Sequence, residues 1–140
     1  MKKMMILWVA MSAFLCCTIN LNAQEPEEQH PIDVQLDQCD QTSTYSIMEC
    51  YRIATEAWDK ELNKNYQALM KLLTKEEQAK LRASQRKWIE YRDLDLDFSG
   101  TMYYNMEGTM WRISAAVRRY EIVRTRALEL KEYAYAKMPL

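Results

Sequence analysis

The stretch from Trp58 to Asp93, WDKELNKNYQALMKLLTKEEQAKLRASQRKWIEYRD, constrains the fold more than any other part of the chain. It reads as two amphipathic helices. Asp59, Leu62, Asn63, Tyr66, Leu69 and Leu73 recur at helical spacing in the first, and Leu81, Gln85, Trp88 and Arg92 in the second. Between them Thr74 and, three residues on, Glu77 form a capping-box pattern that opens the second helix. An antiparallel hairpin turning there pairs residues whose numbers sum to about 150, because each helix rises ~1.5 Å per residue. That rule sets Leu69 beside Leu81, Tyr66 beside Gln85, Leu62 beside Trp88 and Asp59 beside Arg92. Apolar meets apolar and acid meets base. The expectation is a structural polar network of Asp59, Asn63, Tyr66, Gln85, Trp88 and Arg92, since charged groups on an inner face are costly unless paired.

The chain has 140 residues, which suits one domain. Its opening is set apart. Lys2 and Lys3, an apolar run from Met4 to Ile19 and the small-residue site at Ala23 have the layout of a secretory signal peptide over residues 1–23. Cys16 and Cys17 raise a rival reading as a lipoprotein, although Ala13-Phe14-Leu15 lacks the small residue that lipid processing wants next to the cysteine. Either way the protein leaves the cytoplasm, for the periplasm or the exterior, and no transmembrane segment follows the leader. Of 19 basic and 20 acidic residues the leader takes two lysines and no acid, so the remainder is mildly acidic. Nucleic-acid binding, which wants a concentrated basic face, is not expected.

Only Cys39 and Cys50 lie beyond the leader, and two cysteines in an exported chain are most simply one disulfide. With one histidine, His30, they do not make a four-ligand zinc site. No other cofactor is implied. That single histidine also removes the usual base for a serine or cysteine nucleophile. There is no phosphate loop, HExxH or CxxCH either. No catalytic residue is assigned and an enzyme is not expected.

Residues 24–38 are acidic and proline-bearing and read as a flexible lead-in. A first helix should run from about Tyr45 to Leu73, a second from Lys75 to about Phe98, stopped by Ser99-Gly100, and a third from about Met110 to Ala136. The fold class is therefore all-α: a small antiparallel three-helix bundle, a hairpin plus a long third helix, with one N-terminal disulfide. The domain spans residues 39–136 and a tail 137–140. Arg112, Arg118, Arg119, Arg126 and Lys131 should form a basic outer face on the third helix. Asp93, Asp95 and Asp97 crowd a helix end whose dipole disfavours them. Either neighbouring arginines neutralise them, or with Glu90 they form an acidic patch for a partner. The Met- and aromatic-rich segment 101–111 is a connection or an irregular start to the third helix, and Met106 and Trp111 are its candidate contact residues.

The central motifs resemble a known family. D-x-x-L-N-x-x-Y-x-x-L from Asp59 to Leu69 and L-x-x-x-Q-R-x-W-x-x-x-R-D from Leu81 to Asp93 are similar to those of the LprI-type lysozyme-inhibitor family, small exported helical proteins of bacteria. Cys39 and Cys50 match its first cysteine pair, and Arg126 with Glu129-Leu130 its closing R-x-x-E-L. Where many relatives carry a second cysteine pair, this chain has Leu96 and Arg118. The resemblance implies a helical fold and, as function, a binding protein of the cell envelope that inhibits lysozyme-type muramidases by protein–protein contact. Its acidic patch would then meet a basic enzyme. A second hypothesis is an assembly module that binds another envelope protein, or self-associates, through Met102–Trp111 and the basic third helix.

Overall fold

The computed structural model describes residues 29–138. The expected leader, with Cys16 and Cys17, lies outside the described residues. Four helices follow one another: α1 Pro31–Asp37, α2 Thr44–Leu72, α3 Lys75–Tyr104 and α4 Met110–Ala136. The fold is all-α, but it is not the expected three-helix bundle, because the supposed lead-in holds α1. Pro31 stands where a missing N–H costs nothing, and the His30 side chain accepts the Ile32 N–H at 3.3 Å. At seven residues α1 is far below the length at which a helix persists alone. Packing holds it. Ile32 and Leu36 face the second core cluster, with Cys50 and Ala54 of α2.

The other boundaries have local causes. Ser43 and Ser46 cap α2 reciprocally. At the start of α3 the Thr74 hydroxyl accepts the Glu77 N–H, and the Glu77 carboxylate accepts the Thr74 N–H at 2.9 Å. Lys137, just beyond α4, binds the same carboxylate and with Thr74 holds it down to about 2. α3 does not stop at Ser99-Gly100 but continues to Tyr104. A helical glycine costs only about 1 kcal/mol against alanine, which the rest of α3 absorbs. The break comes later, where Gly108 takes a φ of 102° that side-chain-bearing residues avoid.

The helices are not arranged as the hairpin arithmetic implies. α4 packs along α2 and also against α3, whereas α2 and α3 do not pack closely on each other. Trp58, Leu62 and Leu69 of α2 bury against Ile122, Val123, Ala127, Leu130 and Ala134 of α4. Trp88, Leu81 and Leu96 of α3 cover that core only in part. Between α2 and α3, over one face of α4, runs a groove of about 760 Å³.

Cys39 and Cys50 are joined by a disulfide that ties the end of α1 to the first turns of α2. It spans 11 residues of sequence. Closing such a loop should stabilise by about 2–3 kcal/mol through lost unfolded-state entropy. Thermal melts with and without reductant should show that loss, matched by Cys39→Ser/Cys50→Ser. Equal melting temperatures would mean the bond adds nothing to the docking of α1.

Candidate functional site

The chemistry-bearing side chains form two groups, one buried and one on the surface. The buried group centres on Asp33, which is 5% exposed. Its Oδ1 accepts the Trp58 indole N–H at 2.8 Å and the Tyr120 hydroxyl at 2.6 Å. Its Oδ2 accepts Arg124 Nε at 2.7 Å. Burial alone would raise the Asp33 carboxyl, but the bonds from Arg124, Tyr120 and Trp58 outweigh it and hold it below the ordinary value. Burial, with Asp33 beside it, pushes the Tyr120 phenol up. Arg124 and His30 also lie against the Trp58 ring, at 5.5 and 4.3 Å from its centroid. Every donor here is matched to the carboxylate. Such a cluster locks α1 onto α2 and α4, and offers no uncommitted group for catalysis.

The expected network does not form as one unit. Asp59 is exposed and accepts from the Asn63 amide on its own helix. Arg92 pairs with Asp93 at 2.7 Å and lies over Trp88. Gln85 accepts from Arg126 at 3.0 Å. Tyr66 is half-buried against the main core. The Asp59–Arg92 pairing is thus corrected: it presumes α2 in contact with α3, where α4 is the neighbour of both. Arg126, expected on the outside, is 8% exposed, beneath Gln85 and Glu129 and near the Trp88 ring. The buried polar residue of α2 is not Asn63 but Asn65, whose amide donates to the Ala127 carbonyl at 3.0 Å.

The surface group lies on α3. Spacings of three and four place Glu90, Asp93 and Asp97 along one side of the helix. Beside them runs a stripe of exposed apolar residues, Tyr91, Leu94, Phe98 and Met102, with Leu94 71% and Phe98 67% exposed. Glu90 is held by Lys87 and Asp93 by Arg92, both at the surface, where such pairs contribute at most about 1 kcal/mol. Asp97 makes no ion pair among the described residues. Asp95 points elsewhere. It binds Arg118 of α4 at 2.7 Å and raises that guanidinium further above its usual value. So Asp95 is a staple between α3 and α4. Met106 is exposed in the turn after α3, and Trp111 is half-buried, stacked on Tyr103 at 6.1 Å. Neither adjoins the acidic side.

Among the described residues no cluster of His, Cys, Asp and Glu gathers that could hold a metal, and no helix is long and apolar enough to cross a membrane.

A family model described as "Lysozyme inhibitor LprI" matches residues 37–130. An uncharacterized protein of Rhizobium meliloti (strain 1021) is 32% identical over 133 residues, covering 88% of this chain and 91% of that protein. A crystal structure of an uncharacterized protein from Burkholderia thailandensis superposes with a TM-score of 0.74 at 31% identity, over 78% of this chain. This chain spans 55% of that longer protein.

Proposed function

The chain belongs to the lysozyme inhibitor LprI family, and from that premise we propose that it binds a lysozyme-type muramidase through the acidic side of α3. The family is one of exported, non-catalytic binding proteins. On this reading the protein works in the periplasm or outside the cell and blocks its target by occupying it. The observation that carries the reading is the pairing of Glu90, Asp93 and Asp97 with the uncovered apolar stripe at Leu94 and Phe98. Acids without apolar neighbours would only steer an encounter. An adjoining apolar stripe gives the complex surface to bury, so contact can persist after steering has brought a basic partner in.

The test is muramidase turnover of a cell-wall suspension with the purified protein in molar excess. Inhibition should appear at low salt and weaken as salt rises. Asp93→Lys/Asp97→Lys should weaken it about tenfold or more, because like charges across a contact cost kilocalories. Unchanged turnover in the presence of the parent protein at low salt overturns the reading. So does inhibition that the two substitutions leave untouched.

A further inference from the structure

We infer that the groove between α2 and α3 receives α3 of a second copy of this chain, so that the protein forms a two-fold dimer. The groove floor is one face of α4, where Arg112, Ala115, Ala116, Arg119 and Val123 follow at helical spacing. The two alanines leave a depression, and the arginines flank it. Every other arginine of α4 is committed: Arg118 to Asp95, Arg124 to Asp33 and Arg126 to Glu129. Arg112 and Arg119 are exposed and have no acidic partner among the described residues. The acids around the groove are already engaged, Glu49 and Glu56 by Arg52, Asp93 by Arg92 and Asp59 by Asn63. What the groove lacks is a pair of carboxylates carried on an apolar surface.

The chain itself has that object. Glu90 and Asp97 are seven residues apart on α3, as Arg112 and Arg119 are on α4; Asp97 has no ion pair among the described residues, and Glu90 exchanges its exposed Lys87 partner for an arginine. Both pairs are therefore separated by about 10.5 Å along their helices. Leu94, between the acids in sequence, and Phe98 beside them carry the bulk that the alanine floor leaves room for. Each copy has one such strip and one such groove. A two-fold axis lets each strip meet the other copy's groove, a self-complementary contact that closes at two chains. Dimerisation through the groove does not depend on muramidase binding. The surfaces overlap on α3, so one copy cannot hold a muramidase there and a second copy at once.

The test is sedimentation equilibrium of the purified protein across concentration and salt, using two charge-reversed forms. Arg112→Glu/Arg119→Glu makes strip and groove both acidic, and Glu90→Lys/Asp97→Lys makes both basic. The parent should dimerise, more weakly as salt rises. Each reversed form alone should dissociate at least tenfold more readily. Mixed in equal amounts the two should form a heterodimer, because each strip then faces a groove of opposite sign. Recovery of a heterodimer is a readout that misfolding cannot imitate. All four positions are on the surface, and Arg112→Gln/Arg119→Gln, which only removes charge, should weaken the dimer in the same direction. A parent that stays monomeric at millimolar protein and low salt overturns the proposal. So does a dimer indifferent to the reversals, or a mixture that fails to pair. The arginine variants leave the acidic strip intact, so loss of the dimer with muramidase inhibition retained separates this proposal from the previous one.

Discussion

Alanine at Asp33 should lower the unfolding free energy by about 3–5 kcal/mol, the cost of breaking a buried ion pair from one side. The residue lies in a seven-residue helix that nothing in the local sequence makes stable. Yet its carboxylate accepts from three side chains on two other helices. Without it the Trp58 N–H is stranded in a fully buried ring, at about 1–3 kcal/mol for an unmatched buried donor. Arg124, whose side chain is 36% exposed, can turn to water and recover part of the loss. The effect should depend on pH. The folded carboxyl sits below its ordinary value of 3.8, so the charge-dependent part of its contribution is whole above that pH and is lost as pH falls through the lower folded value. Denaturant melts of the parent and Asp33→Ala should differ most near neutrality and less in strong acid. A constant difference at every pH would mean that the carboxylate charge is not what holds α1.

Trp58→Ala should cost a similar amount, about 3–5 kcal/mol, by a different route. The ring is fully buried, at the meeting point of α1, α2 and α4, and alanine leaves a cavity that three helices cannot jointly close. Phenylalanine at the same position keeps most of the volume and loses only the N–H bond to Asp33, so about 1 kcal/mol is expected. The two sites share that bond. The double variant Asp33→Ala/Trp58→Ala should therefore be more stable than the sum of the single losses implies. Additive losses would place the two side chains in separate units.

The long elements were legible because their periodicity extends over many turns. The capping box at Thr74 and Glu77 and the span of α4 could be read directly. Three things were not. α1 is too short for a period to show, and His30-Pro31-Ile32-Asp33 looks like polar tail. The available signal was Pro31 with an acid, Asp33, two residues on in the first turn, and Ile32 and Leu36 one turn apart. The glycine at position 100 was a misleading stop, since a long helix tolerates one such residue. The register between α2 and α3 failed for a deeper reason. Complementary pairs across an assumed contact test consistency and cannot show that the contact exists. Leu69 and Leu81 both look inward, but they look at a common core to which α4 contributes most. Of the candidate site, the α3 acids were visible as a charge anomaly. Which of them was committed was not, because Arg118 reaches Asp95 from 23 residues away.

The central place of α4 has a consequence for how the chain comes to be folded at all. The helix on which both of its longer predecessors rest is the last one in the sequence. Until the segment around Ile122 to Ala134 exists, Leu62 and Leu69 have no surface to bury against, Gln85 has no Arg126 to accept from, and α3 has no neighbour. A growing chain thus holds at most the small α1–α2 cluster, and its main core arrives only with the final quarter. For a member of an exported family, this architecture postpones the compact state that would otherwise have to be undone before passage through a membrane.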